Sequence, residues 1–189
     1  YNHPMEYGRF LGIDESNHGR FPEIFAGIYS DSERDLKKGE YSKLRHRKGT
    51  IAGKIRENNA PREYRHVVIP QEYTKLFSKN QLGLIAMSEL IKHGGSDLEQ
   101  VIIDGEKNLD DISKLKELVH PSAPKVLFVP KGDKTYRLVN LADFTAYRLF
   151  KEYTGHTTEK DLEERFADFI VTPRIEDYVT FFDQDKRIY

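Results

Sequence analysis

Cysteine and tryptophan are both absent from this chain, and methionine occurs only twice. The lack of cysteine excludes disulfides and thiolate-bound zinc, and it fits a reducing, cytoplasmic setting. No apolar run approaches the roughly 20 residues that a membrane-spanning helix needs, and no secretory leader pattern is visible. A membrane partner is therefore not expected. An excess of charge of one sign is also lacking: the formal net charge is -1, although 32% of the residues are charged. That balance excludes a uniformly basic or acidic surface but permits local patches. What is present, 38% hydrophobic residues in 189 with no internal repeat, is enough for one sizeable α/β domain.

The patterning divides as follows. Phe10 to Asp14 reads as a buried strand, and Ile24 to Ser30 as a second one after a short polar turn, which predicts an antiparallel hairpin. Asp31 to about residue 65 is a polar insertion. His66 to Pro70 is a third strand. Asn80 is read as the cap of a helix over Gln81 to His93, closed by Gly94-Gly95. Gln100 to Asp104 and Lys125 to Pro130 are further strands, with a short helix over Asp110 to Leu118 between them. Lys131-Gly132-Asp133 is a turn, and Leu138 to Tyr153 is a strongly apolar helix. The expected architecture is a mixed five-stranded sheet flanked by helices, spanning residues 1–156, with an extension over 157–189.

Four acids stand out by setting. Asp14 and Glu15 end the first strand, Asp104 ends the fourth, and Asp143 interrupts the apolar helix. Adjacent carboxylates repel, so a proton, a basic residue or a divalent cation must neutralise them. An ionised Asp143 on an apolar helix costs several kcal/mol unless it is metal-bound or paired, with Arg148 and Lys131 the partners at hand. If the first and fourth strands are neighbours, Asp14 and Asp104 end side by side, and the helix can bring Asp143 over them. An all-carboxylate set selects Mg²⁺ or Mn²⁺. Two such ions activate a water and stabilise the leaving oxygen of a phosphodiester. Lys43, Arg45, Arg47, Lys48, Lys54 and Arg56 make the insertion basic, as a nucleic-acid backbone would require, and Lys131 is a further phosphate contact. His18 is a minor candidate for proton transfer, Glu106 for a water-mediated ligand, and Asp133 for a turn cap or an outer-shell residue.

Ile13-Asp14-Glu15-Ser16, then the blocks from Val68 to Met87, then Ile103-Asp104-Gly105, then Lys131-Gly132-Asp133 before a long helix fall in one order. This order resembles type 2 ribonuclease H, within the RNase H-like nuclease superfamily. The resemblance implies an RNase H-like fold and a divalent-metal-dependent nuclease that hydrolyses phosphodiester bonds in RNA–DNA hybrid, RNA or DNA. Asp14, Glu15 and Asp104 match the family's metal-binding acids, with Asp143 as the fourth acid and Glu152 as its fallback. The chain departs from the family after Glu15, where Ser16-Asn17-His18-Gly19-Arg20 replaces a Gly-Arg-Gly element. Ile175 to Phe182 faintly resembles a sliding-clamp-binding box, without the Gln that opens one. A protein that keeps the fold and binds nucleic acid without cutting it is the alternative.

Overall fold

A computed structural model describes residues 8–16, 20–44, 47–155 and 159–185. Five strands form one sheet: β1 (Phe10–Ser16), β2 (Glu23–Ser30), β3 (Arg62–Ile69), β4 (Gln100–Asp104) and β5 (Lys125–Val129), in the order β3-β2-β1-β4-β5. The β1–β2 hairpin and the β2–β3 pair are antiparallel, whereas β4 lies parallel to β1 and to β5. The sheet is mixed, as its alternation of hairpins and helical crossovers dictates. Helices α1 (Ile51–Ile55), α2 (Lys79–His93), α3 (Leu109–Val119), α4 (Gly132–Thr135), α5 (Arg137–Tyr153), α6 (Glu159–Phe166) and α7 (Ile175–Asp185) complete the chain. Among the described residues no helix is long and apolar enough to cross a membrane.

The pleat assigns each strand residue to one of two cores. Leu11, Ile13, Phe25, Val67 and Ile69 pack with α2 and α3 on one face. Phe10, Ile24, Ala26 and Ile28 pack with α5 and α6 on the other. Gly12 permits the second layer. A Cβ there would stand 2.5 Å from Leu138 Cβ and 2.6 Å from the Leu138 carbonyl carbon, so the bare backbone lets α5 lie directly on β1.

Several boundaries differ from the sequence reading. Ser78, not Asn80, caps α2, in a capping box with Gln81. Asn80 is then already helical, and its side chain reaches Asp111 Oδ1 at 2.6 Å. The Lys131-Gly132-Asp133 turn is the entry to α4, with Lys131 in the left-handed region at φ 59. The polar insertion is not wholly a solvated loop: Leu44 and Ile55 are buried, and Arg62 to Arg65 extend β3. Tyr178 and Phe182 of α7 are buried in the α2-side core, so the segment resembling a clamp-binding box presents those two aromatics inward.

His66 is fully buried between the Tyr64 and Phe166 rings, with Nε2 at 3.2 Å from the Tyr153 hydroxyl. Burial lowers its pKa from the usual 6.5 to about 3. Between those values the unfolded chain binds the proton and the folded chain does not, so stability falls as the pH drops, by up to about 1.4 kcal/mol per unit. Urea midpoints measured from pH 7 to pH 4 should therefore decline more steeply for the native chain than for His66→Phe. Equal slopes would show that His66 does not stay neutral.

Candidate active site

Asp14 and Asp104 owe their proximity to the β1–β4 register. Ile13 pairs with Ile103 in parallel, so the next residue on each strand is an acid at the same sheet edge. That edge is the carboxyl end of β1 and β4, where open α/β sheets place their sites. Alternation then turns the adjacent pair to opposite sides of β1. Asp14 shares the α5 face with Gly12 and Glu15 turns toward α2, yet both, with Asp104, line one cleft of about 430 Å³ that Glu23, Lys79, Asn80, Glu106 and Lys107 complete.

Asp143 comes from the middle of α5 and is 1% exposed; Asp14 is 7% exposed. Burial, reinforced by the charges of Asp104, Asp143 and Asp133, holds the Asp14 carboxyl well above its usual pKa, against one opposing contact from the Glu15 N–H at 2.7 Å. Asp104 is raised as well, by burial and then by Asp133, while the Asp133 and Gly132 amides pull it down. The left-handed Lys131 turns the chain from β5 into α4 so that the Asp133 N–H points at Asp104 Oδ1, 3.4 Å away. Asp133, read from the sequence as a turn cap or an outer-shell residue, therefore stands beside the predicted acids. Its Oδ2 is buried without a hydrogen bond, and Lys43 Nζ stands 3.6 Å from it. Asn140 fixes this corner, donating to the Asp133 carbonyl at 2.8 Å and the Ser42 carbonyl at 3.1 Å.

Four carboxylates thus share one buried corner. The donor set is entirely oxygen, and its mutual repulsion is what a hard divalent cation relieves. The Asp133 Oδ2, near Lys43 but without a hydrogen bond, keeps a lone pair for such an ion. Among the described residues no group of three or more acids or histidines is arranged to enclose a metal, so the fit lies in the donor chemistry rather than in a finished cage.

The basic residues divide. Lys43 reaches the acid corner; Arg47 holds Ser42 Oγ at 3.2 Å, and Lys48 is exposed beside Gly49, whose carbonyl receives Arg148 of α5. Lys131 is exposed at the start of α4. Lys54 is ion-paired with Glu57, and Arg56 borders Gly8 and Asp31 at the opposite end of the sheet, so the fold does not bring these two to the acids. Glu152 pairs with Arg165 at 3.0 Å, near the far end of α5. His18 and Arg45 lie outside the described residues.

Sequence reasoning missed Glu23, Lys79, Asn80 and Lys107 in the cleft. Lys79 Nζ lies 3.8 Å from Glu23 Oε1, and Lys107 Nζ donates to Asn80 Oδ1 at 2.5 Å. The start of β2, the first turn of α2 and the loop after β4 supply them. The signal within reach was Ser78: placing the cap there puts Lys79 and Asn80 in the first turn of a helix packed on the sheet.

No family model matches the chain, and no curated protein matches it. Solved structures do. Ribonuclease HII of Archaeoglobus fulgidus, from its complex with PCNA, superposes with a TM-score of 0.56 at 19% identity, over 83% of this chain and 76% of that one. The chain has an RNase H-like fold. Ribonuclease H2 of Pyrococcus horikoshii gives 0.54 at 15% identity, over 85% and 88% of the two chains. A point mutant of Bst-RNase HIII gives 0.53 at 14%, over 87% of this chain and 57% of that one.

Proposed function

We propose that this chain is a divalent-metal-dependent nuclease that hydrolyses phosphodiester bonds, with RNA in RNA–DNA hybrids as the first substrate to test. The observation that carries the reading is the corner of Asp14, Asp104, Asp133 and Asp143, four acids from separate elements crowded at the strand ends of an RNase H-like sheet. Asp14, Asp104 and Asp143 would hold Mg²⁺ or Mn²⁺, which supplies an activated water and charge neutralisation at the leaving oxygen. Asp133 would complete the donor set or orient a water from beside it. Lys43 would exchange its Asp133 contact for a substrate phosphate, a modest exchange because its side chain is half-exposed. Glu15, which lines the same cleft as Asp14 and Asp104, would orient water or a second ion from there. Arg47, Lys48 and Lys131 would hold the backbone of the nucleic acid.

The test is cleavage with Mg²⁺ or Mn²⁺ of a panel containing an RNA–DNA hybrid, a duplex with one embedded ribonucleotide, single strands and a branched DNA. Cleavage confined to ribose-containing duplexes supports the reading in full; cleavage of another member keeps the nuclease and changes the substrate. Binding without cleavage under both ions favours a non-catalytic nucleic-acid-binding protein.

A further inference from the structure

The acid cleft is also lined by two cations, Lys79 from the first turn of α2 and Lys107 from the loop after β4. A lysine on a surface loop normally extends its ammonium into water. Glu106 and Asn108 are exposed, whereas Lys107 between them is half-buried, with Nζ 2.5 Å from Asn80 Oδ1. Asn80 in turn donates from Nδ2 to Asp111 Oδ1 at 2.6 Å. Asp111 is buried in the first turn of α3, where its own N–H donates to Asn108 Oδ1 at 2.8 Å. An ionised carboxylate only accepts, so Asp111 turns the Asn80 amide nitrogen toward itself and leaves the amide oxygen for the ammonium.

The series Asp111–Asn80–Lys107 fixes a cation without neutralising it. A carboxylate in the place of Asn80 would pair with Lys107 and cancel its charge. The amide oxygen holds the ammonium, and leaves it its charge and two further N–H donors for a ligand in the cleft. Among the described residues Lys107 has no carboxylate within ion-pair distance. Lys79 is 58% exposed, and its contact with Glu23 is a long one at 3.8 Å, so its charge is little spent. The ligand these two cations suit is an anion. Asp14, Glu15 and Asp104 line the same cleft and repel a small anion in solution, so two lysines are too few to hold one. An anion that belongs to a strand gripped elsewhere along its length is delivered against that repulsion, and a backbone phosphate is such an anion.

We propose that Lys107, with Lys79 as a second cation, contacts one backbone phosphate of the strand in the acid cleft, and that Asn80 and Asp111 are positioning residues for Lys107. This rests on the reading of the acid corner as a nuclease site, and it adds a fixed point for the strand at the α2 side of the cleft. The contact is to phosphate, so it sets the register of the strand and is indifferent to base sequence.

The experiment measures binding of a short fluorescein-labelled RNA–DNA hybrid over a range of salt concentrations, in EDTA and again with Ca²⁺, an ion that oxygen ligands also hold. A second series replaces one phosphate at a time by an uncharged methylphosphonate. Lys107→Gln should bind about tenfold more weakly and lower the slope of log K against log salt by about 1. The native protein should lose about tenfold at one methylphosphonate position, and Lys107→Gln should lose nothing there. Asn80→Ala keeps the charge but not its place, so its salt slope should stay native while its response to that one position disappears. Lys79→Gln serves as the parallel variant, and a melting curve confirms that each is folded. A folded Lys107→Gln with the native slope and the native methylphosphonate profile overturns the proposal. So does a reduced slope with no position of the strand singled out in the native chain, since Lys107 is then only part of a diffuse field. An Asn80→Ala profile like the native one removes the positioning role. Cleavage with Mg²⁺ and no Lys107 effect removes the phosphate contact alone. A Lys107 effect on binding with no cleavage removes the nuclease and leaves the contact. A native chain that binds no hybrid in either condition overturns both.

Discussion

Asp14→Asn should do two opposite things at once: abolish cleavage and make the metal-free protein more stable. The expectation follows from where Asp14 sits. It is buried on the α5 face against Asp104, Asp143 and Asp133, so its ionised form is disfavoured by lost hydration and by like charge. An amide of the same shape keeps the contact with the Glu15 N–H and drops the charge. The variant should therefore be the more stable protein at neutral pH, with the higher Tm. The sign with pH is definite. The folded native chain holds a proton on Asp14 that the unfolded chain has released, so the native chain loses stability as the pH rises above the usual carboxylate range, and the variant does not. The gap between the two should widen from pH 4 to pH 7. Millimolar Mn²⁺ or Mg²⁺ should reverse the ranking. An ion bound at a hundred times its dissociation constant stabilises the native fold by about 2.7 kcal/mol, and the variant should lose most of that gain. Cleavage should fall by at least about a hundredfold. Calorimetry with and without Mn²⁺, beside the cleavage assay, separates the outcomes. A variant that is less stable without metal, or that gains as much from Mn²⁺ as the native chain, would refute the assignment of Asp14 to a metal-holding corner.

Three acids of this corner, Asp14, Asp104 and Asp143, were legible because each ends or interrupts an apolar run. Ile13 and Ile103 are buried strand residues, and the acid that follows each breaks the apolar run; at Asp104 the strand ends there, whereas β1 continues past a buried Asp14 to Ser16. Asp143 is conspicuous because its helical neighbours Ala142 and Phe144 are fully buried. Asp133 was harder to read, since Lys-Gly-Asp is an ordinary turn in sequence; its place beside Asp104 depends on the left-handed Lys131 and on the crossover from β5. Pairing also hid information. Adjacent in sequence, Asp14 and Glu15 do not show that they leave β1 on opposite sides, as the regular course of β1 through Ser16 opposite Ile24 requires, while still lining one cleft. The cleft residues Lys79, Asn80 and Lys107 come from different elements and carry no local pattern. Burial of single polar groups is the deeper limit. Asp35 and Arg62 lie in a stretch whose composition reads as solvated, because an ion pair that is removed from water has the same letters as one that is not.

That pair carries the second large expectation. Arg62 donates from Nε to Asp35 Oδ2 at 2.7 Å and from Nη2 to Oδ1 at 2.6 Å, with side-chain exposures of 6% and 3%. Ser30 Oγ donates to the same carboxylate at 2.7 Å, and Arg62 Nη1 reaches the Ile55 and Glu57 carbonyls at 3.1 and 3.2 Å. One bidentate contact therefore ties the two ends of the basic insertion together at the sheet edge opposite the acids, and ties α1 to both. Arg62→Ala leaves Asp35 as a buried charge without its cation and frees two carbonyls. Breaking such a pair from one side costs about 3–5 kcal/mol, so Tm should fall by roughly 6–20 °C. Replacing both partners by apolar residues, Asp35→Leu with Arg62→Met, should recover much of the loss, because the desolvation of both charges is then removed together. The insertion also carries Lys43 to Asp133, so at a temperature where Arg62→Ala is still folded its affinity for an RNA–DNA hybrid should drop more than that of the double variant. Denaturant melts and hybrid binding on the three proteins decide it. A single variant within about 1 kcal/mol of the native chain would mean that water replaces the guanidinium, and a double variant no better than the single would mean that the insertion is held by the carbonyl contacts of Arg62 rather than by its charge.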